Sequence, residues 1–134
     1  MAKESGALTV IIDDSGAAAR TLSATSILTV EMSTPRSVQD VTSVGQSAMD
    51  RLLTLADYSA TFTGAFNDAS NDAHDVFKTV PSSSVARTTS VAHSGKTLAV
   101  EAFFTDYSLS RGGDGSLTFS APCVLTGGSV PTWA

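Results

Sequence analysis

The segment Asp57-Tyr-Ser-Ala-Thr-Phe-Thr-Gly-Ala-Phe66 alternates between apolar or small side chains and mainly polar ones. Tyr58 and Phe62 share one parity, whereas Thr61 and Thr63 share the other. Because successive side chains of a β-strand point to opposite faces, this period predicts a strand with one buried and one exposed face. The fold is therefore expected to be built around a half-buried sheet.

The flanking chain repeats this two-residue period in several segments. Glycine-containing turns at 94–96 and 111–115 separate three of them and predict antiparallel hairpins. The hairpin over 85–109 is expected to be long enough to reach beyond the body of the domain. The predicted strands are 7–13, 25–33, 85–93, 97–109 and 116–124, and residues 36–44 form a strand or an extended segment.

Two short helices are predicted between the strands. A helix is expected over 46–56 because Ser43 and Gln46 have the spacing of a capping box and an apolar stripe follows them, formed by Met49, Leu52, Leu53 and Ala56. A second helix should begin after Asn71 and end at Pro81, with its own stripe of Ala73, Val76, Phe77 and Val80.

Together these elements predict a mainly β fold, an antiparallel β-sandwich or partial barrel with one or two short α-helices. The length of 134 residues indicates a single domain over 1–134. Residues 1–6 are expected to be a flexible N-terminal arm, and residues 126–134 a C-terminal arm that neither strand nor helix rules explain.

The composition favours a surface made for other protein surfaces. Charged residues are only 16% of the chain, below the usual quarter, and small polar residues take their place. Burying a threonine that can still hydrogen-bond costs less than burying a lysine or a glutamate. A β-rich domain in water would also be rich in threonine and valine, so composition alone leaves both interpretations open. The net charge of -5, without a basic cluster, argues against a nucleic-acid-binding protein.

Targeting signals and catalytic motifs are not found in the sequence. The first residues lack the apolar core of a signal peptide, and no apolar run approaches the roughly 18 residues of a membrane helix. Folding and assembly are therefore expected in the cytoplasm. His74 and His93 lack partners at metal-ligand spacing, and the lone Cys123 is expected to be a buried, inert thiol. We expect no enzyme, catalytic residue, metal or cofactor.

Three stretches resemble small tail tube proteins, also called major tail proteins, of tailed phages that infect actinobacteria. The first runs from Val41-Thr-Ser-Val-Gly-Gln-Ser-Ala-Met-Asp-Arg-Leu-Leu to Asp68, and the second is Phe103-Phe-Thr-Asp-Tyr-Ser-Leu-Ser-Arg-Gly-Gly-Asp-Gly-Ser-Leu-Thr-Phe-Ser120. The third is the ending Gly-Gly-Ser-Val-Pro-Thr-Trp133. The resemblance covers about two thirds of the chain, whereas residues 1–39 match only in pattern.

The resemblance implies the tail-tube fold, with six copies in a ring and rings stacked into a hollow tube. DNA would pass through the lumen during ejection without sequence-specific binding, and other tail proteins would be partners. The expected location is the virion tail, with assembly in the cytoplasm of the bacterial host. The residues of this family are structural, so the resemblance carries no active site to this chain.

Two sets of residues are nominated for these roles. Acids on or near the polar faces of predicted strands are lumen-facing candidates, although each could equally lie on an ordinary solvated face: Glu31, Asp57, Glu101 and Asp106. Asp50 and Arg51 are subunit-interface candidates on the side of the 46–56 helix that faces away from its own sheet. Trp133 is a third interface candidate, because a tryptophan in a Gly/Pro tail needs cover from a neighbour or from its own core.

Other kinds of protein remain open at this point. A capsid decoration protein, a head–tail connector or a tail terminator would also be a small acidic β domain, and would form a single ring or trimer. A ligand-binding β-sandwich is less favoured, because such a domain would bind its ligand through exposed aromatic side chains. Four phenylalanines fall instead on predicted core faces: Phe62, Phe66, Phe104 and Phe119.

Overall fold

A computed structural model describes residues 7–22, 27–127 and 130–134. Within them the chain forms ten strands and one short helix. The predicted N-terminal arm 1–6 lies outside the described residues. In chain order the elements are β1 (Leu8–Asp13), β2 (Ala19–Thr21), β3 (Ile27–Ser33), β4 (Arg36–Asp40), β5 (Arg51–Ala56), β6 (Ser59–Ala65), α1 (Ala73–Phe77), β7 (Arg87–His93), β8 (Lys96–Phe104), β9 (Ser108–Arg111) and β10 (Leu117–Leu125).

Eight strands form one antiparallel sheet in the order β2-β1-β7-β8-β10-β6-β3, with β9 also paired to β10. If the sheet were flat, β2 and β3 would lie six strand spacings apart, or roughly 29 Å. Thr21 ends β2 and Ile27 begins β3, and six fully extended residues span at most about 21 Å. The sheet must therefore curl towards closure, and the Ile27 amide donates to the Leu22 carbonyl at 3.2 Å where its two ends meet. The prediction of a mainly β fold is confirmed, in the form of a partial barrel, which we call the barrel below.

The inside of the barrel is filled by the apolar parity of each strand. Val30 opposes Phe62, which in turn opposes Ala121, so one row of inward residues crosses three strands. Helix α1 packs Phe77 into this core, where its ring lies 5.0 Å from Phe104 and 5.8 Å from Phe119. Of the phenylalanines predicted on core faces, Phe62 and Phe119 are buried, whereas Phe66 and Phe104 are only partly buried. The buried position of Phe62 explains why the alternating segment around it decides the fold.

The predicted single strand over 97–109 is wrong in one respect. Strand β8 ends at Phe104, and β9 resumes at Ser108 along the same edge of β10. Between the pairs Cys123–Phe104 and Ser120–Ser108, three residues lie opposite two. This extra residue is a β-bulge, which bends the strand and turns Asp106 and Tyr107 out of the regular alternation.

The predicted helix over 46–56 is also wrong, because residues 51–56 form strand β5. Ser43 and Gln46 do interact, but the Gln46 amide donates to the Ser43 carbonyl in a turn. Gly45 occupies the left-handed region, with φ +100°, and no helix continues from it. Strand β5 pairs instead with β4, the strand that precedes it in the chain, and the two form a hairpin. The second predicted helix is confirmed in shorter form as α1, with Asp72 rather than Asn71 as the N-cap residue.

Arg87 joins three elements from inside the barrel, with only 1% of the residue exposed. Its Nη1 donates to the carbonyl of Val76 at 2.7 Å and to that of Asp13 at 3.1 Å, and its Nη2 donates to Thr79 Oγ1 at 3.0 Å. Burial lowers the pKa of Arg87, and the nearby Asp14 and Asp13 carboxylates oppose that shift. The guanidinium thus satisfies the carbonyl of Val76 near the end of α1 and ties the helix to β1 and β7.

We expect Tyr58→Phe to leave stability unchanged or to raise it by about 1 kcal/mol. The buried Tyr58 hydroxyl has no hydrogen-bond partner among the described residues, so its removal relieves an uncompensated polar burial. Tyr107→Phe is the matched control, because the Tyr107 hydroxyl lies 3.2 Å from His74 Nδ1 and the variant should lose about 1 kcal/mol. Urea unfolding of both variants measures the difference, and equal losses would contradict the assignment.

Stability is expected to fall at alkaline pH because two buried side chains, the thiol of Cys123 and the phenol of Tyr58, ionise more easily in the unfolded chain. Burial raises the pKa of the Cys123 thiol from 9.0 to about 12, and burial also raises the pKa of Tyr58. An unfolded chain ionises at the ordinary pKa, so the stability of the fold is unaffected by these groups below pH 9 and falls as pH rises towards 12, because only the unfolded chain gains their ionisation. Cys123→Ala should flatten part of this decline in urea unfolding series from about pH 8 to about pH 11. An unchanged slope would show that Cys123 is not protected from ionisation.

Candidate subunit interface

A two-stranded hairpin projects from the barrel between β3 and β6. We call residues 34–57 the arm, since β4 and β5 pair with each other and not with the main sheet. Every residue of β4 and five of the six in β5 are exposed. The arm carries half or more of the large exposed apolar side chains of the described chain: Val38, Val41, Val44, Met49, Leu52, Leu53 and Leu55. An isolated two-stranded hairpin is marginal in water, and so this arrangement indicates a surface that needs cover.

The two ends of the arm are joined to each other where the chain leaves and re-enters the barrel. The Asp57 amide donates to the Pro35 carbonyl at 2.9 Å, and the Asp57 carboxylate accepts from the Tyr58 amide at 2.7 Å. Within the arm, Arg36 Nη2 donates to the Thr54 carbonyl and Thr54 Oγ1 donates to the Ser37 carbonyl. Among the described residues, no hydrogen bond joins residues 36–56 to the barrel. The arm is thus closed at its base, continuous in sequence with β3 and β6, and hydrogen-bonded along its length only within itself.

Asp50 and Arg51 lie on the arm instead of on a helix. Arg51 opposes Asp40 across the hairpin, and the Asp50 carbonyl accepts from the Val41 amide at 2.9 Å. Both side chains are exposed, and no ion pair of Arg51 is found within the described ranges. Their predicted position was wrong, because the helix does not form, whereas their role at an interface stays a prediction.

The outward parity of β3, β6 and β10 forms a second distinctive surface. Thr29 opposes Thr63, which opposes Ser120, and Glu31 opposes Thr61. Their neighbours in sequence fill the core, so these side chains point away from it. We call this surface the hydroxyl face, after its polar members Thr29, Glu31, Ser33, Ser59, Thr61, Thr63, Thr118 and Ser120; Pro122 and Val124 of β10 lie in the same rows, opposite Thr61 and Ser59. Glu31 is the one charged residue in the described strands β3, β6 and β10.

The four lumen candidates lie in different places. Glu31 is on the hydroxyl face, whereas Glu101 lies on the outward side of β8 and accepts a hydrogen bond from Thr88 Oγ1. Asp57 is at the base of the arm. Asp106 is in the β-bulge, where its carboxylate accepts from the Tyr107 amide at 2.8 Å. The structure therefore places Glu31 alone among hydroxyl groups, and does not bring the four acids together.

Trp133 returns to the barrel instead of extending away from it. It forms a bridge with Leu98, and Ala134 and Thr97 exchange two backbone hydrogen bonds of 2.8 and 3.1 Å. The Trp133 ring lies 6.5 Å from the ring of His93, and half of the tryptophan remains exposed. The C-terminal segment 130–134 is thus attached to the edge of β8, and the exposed half of Trp133 is available to a neighbour.

The predicted reach of the 85–109 hairpin is wrong, since β7 and β8 lie in the middle of the sheet. The arm is the projecting hairpin, and it was not predicted from the sequence. The exposed valines and leucines of residues 38–55 were a signal for it, but Leu52 and Leu53 also fit a helical stripe.

Side chains of catalytic type are isolated in the described chain. No group of three or more histidine, cysteine or acidic residues is placed to hold a metal ion within the described ranges. His74 lies against aromatic rings, 4.9 Å from Phe66 and 6.0 Å from Tyr107, and Cys123 is buried. No described helix is long and apolar enough to cross a membrane.

Comparison with known proteins gives matches in structure only. No family model and no curated protein matches the sequence. A chain from the tail of an empty gene transfer agent (GTA) particle, solved by helical refinement with C6 symmetry, superposes with a TM-score of 0.72 and 15% identity over 95% of both chains. The chain has the fold found in a GTA tail. A chain from the virion of the native GTA particle gives a TM-score of 0.66 at 16% identity, covering 92% of this chain and 95% of that one.

The GTA tail fold covers nearly the whole chain. At 15% and 16% identity the likeness concerns the fold, so the resemblance to actinobacterial phages stays a prediction. The arm and the hydroxyl face are the two exposed surfaces on which a functional proposal depends.

Proposed function

We propose that this chain is the structural subunit of a phage or phage-like tail tube. In this proposal six copies form a ring, rings stack through the arms, and the tube encloses a channel for DNA. The observation that carries the proposal is the match over 95% of both chains to a tail solved with C6 symmetry. The subunit would be a non-enzymatic part of the virion tail, assembled in the cytoplasm of the bacterial host.

The arm supports assembly with copies of the same chain. It presents exposed aliphatic side chains on a hairpin whose residues 36–56 form no hydrogen bond with the described part of the barrel. Contacts between different surfaces on identical subunits generate rings when the rotation closes and filaments when it does not. A projecting arm and a distant receptor surface on the next copy satisfy this requirement.

The hydroxyl face supports a channel lining. Serine and threonine hydroxyls can hydrogen-bond with water, and Glu31 adds negative charge without any cation nearby in β3, β6 or β10. Such a wall repels phosphates and lets DNA slide, whereas lysine or arginine would bind it. We propose that this face lines the lumen, with Glu31 as the lumen acid and Asp57, Glu101 and Asp106 as further candidates.

Electron microscopy of the purified chain tests the proposal. Long hollow tubes are the expected product. Discrete rings that never stack would favour a connector or terminator, and trimers would favour a decoration protein. A chain that stays monomeric at high concentration would contradict the proposal.

We expect Glu31→Lys to slow DNA ejection while leaving tube formation intact. Six added lysines per ring, in place of six carboxylates, would attract the passing phosphates, and raised salt should relieve the effect. Glu31→Gln is the control for loss of charge alone and should act weakly. The same reversal at Asp57, Glu101 and Asp106 ranks the other candidates, and ejection rates unchanged for Glu31→Lys would remove its lumen assignment.

A further inference from the structure

Strand β8 extends beyond the point where its neighbour β10 ends. The last pair between the two strands joins Leu125 to Ala102, and the next amide, that of Thr126, donates to the Glu101 carbonyl at 3.2 Å. Residues 97–101 of β8 continue past this point, while their other side stays paired with β7. One edge of this part of β8 is therefore left without a full strand beside it.

The C-terminal segment 130–134 occupies part of that edge. Thr97 exchanges two backbone hydrogen bonds with Ala134, and Leu98 forms a bridge with Trp133. Bridge partners share a face of the sheet, so Trp133 lies on the same inner side as Leu98, which is fully buried. The segment thus supplies both the backbone partners and the apolar cover that an open edge lacks.

The attachment is confined to the end of the segment. Ala99 directs its amide and carbonyl to the same side as Thr97, because alternate residues of a strand do so. Among the described residues, no hydrogen bond joins Ala99 to the segment or to β10. An open cavity of about 270 Å³ lies at this gap, where Ala99, Val100 and Val130 are among its lining residues. The described hydrogen bonds between the segment and β8 go to backbone groups, which any extended strand could provide.

Without the segment, this edge would suit the same edge of a second copy. An antiparallel pair centred on Leu98 places Thr97 of each copy opposite Ala99 of the other, and it uses the backbone groups of both residues. The two Leu98 side chains would lie opposite each other on the inner face, in the place of Trp133. None of the three residues is charged or a proline, the features by which natural sheets protect their edges.

We propose that the segment 130–134 is a cover strand, which keeps β8 from pairing with β8 of a second copy. A subunit that associates through other surfaces needs such protection, because edge pairing between free copies would compete with the intended contacts. The inference concerns the free chain and stands whether or not the chain forms tubes.

Removal of the cover strand tests the inference. All chains carry Leu53→Asp, so that assembly through the arm is suppressed, and sedimentation velocity gives the number of copies per particle. The chain that keeps residues 130–134 is expected to be a monomer, and the chain that lacks them is expected to form dimers at the same concentration. Adding Ala99→Pro to the shortened chain should restore the monomer, because proline lacks the amide that a partner strand needs, and in the monomer that amide is directed away from β7.

Ala134→Pro is a milder variant that keeps the whole segment. It removes the amide that donates to the Thr97 carbonyl and leaves Trp133 in place, so part of the chain should form dimers. A shortened chain that stays monomeric with a native circular dichroism spectrum would overturn the inference, and so would dimers that persist with Ala99→Pro. If the shortened chain does not fold, a fully monomeric Ala134→Pro chain would overturn it.

Discussion

A chain in which a short Gly/Ser linker replaces residues 36–56 is expected to fold normally and to lose polymerisation completely. The arm packs on itself, and its removal keeps the hydrogen bond between Asp57 and Pro35 at the base. Changes at exposed sites shift stability by about 0.5 kcal/mol or less, so the melting temperature should move by only a few degrees. Sedimentation velocity and thermal melting measure the two effects on one preparation.

Point variants show whether assembly depends on the apolar side chains of the arm or only on the arm being present. Leu53→Asp should prevent assembly, because burying an unpaired carboxylate is unfavourable. Thr54→Ser removes only a methyl group from the neighbouring position, keeps the hydroxyl that donates to Ser37, and should assemble normally. Polymerisation of the arm-deleted chain at wild-type concentration would show that the arm is not an assembly contact.

Arg87→Met is expected to destabilise the barrel by about 3–5 kcal/mol, a large part of the roughly 5–15 kcal/mol that holds a typical domain. The variant leaves the buried carbonyl of Val76 without its donor, and the part-buried carbonyl of Asp13 and hydroxyl of Thr79 lose theirs. A lower urea midpoint at unchanged slope measures the loss.

Arg87→Lys is the control for this buried site. It keeps the positive charge beside Asp14 and Asp13 but cannot donate from two separate nitrogens to the three acceptors. Its loss should therefore lie between those of the wild type and Arg87→Met. A methionine variant within about 0.5 kcal/mol of wild type would show that the guanidinium bonds are not what holds α1 to the sheet.

Strands that border the core were predictable because their period is local. In residues 57–66, each inward position is apolar or small, and the same holds for Val10 and Ile12 in β1. The period of two is visible without any knowledge of pairing partners. Strand β2 escaped prediction because its three residues are too few to show a period.

The arm could not be predicted in the same way, since nothing inside it is buried. Its leucines fit a helix as well as a strand, and the choice depended on pairing with residues 36–40. In addition, Gly45 in the left-handed region and the turn at Ser43 prevent a helix from starting at this point. The β-bulge near Asp106 likewise depends on how β10 pairs with two successive strands.

The candidate lumen residues lie on different surfaces because strand pairing, which the sequence does not show, decides where each one is placed. Glu31 kept the position that its parity predicted, on the polar side of β3. Asp57 and Asp106 lie in connections, where a carboxylate accepts from the next backbone amide, and strand parity has no meaning. The sequence shows which side of each strand is polar. The order of the strands in the sheet decides which of these polar residues lie on a common face.

A cryo-electron microscopy map of the tube formed by the purified chain tests the central claim most directly. The account predicts six copies around each ring, a hollow channel lined by the hydroxyl face, and each arm buried against the adjoining ring. A closed single ring that does not stack, or a tube with the hydroxyl face turned outward and the arms free in solvent, would contradict it.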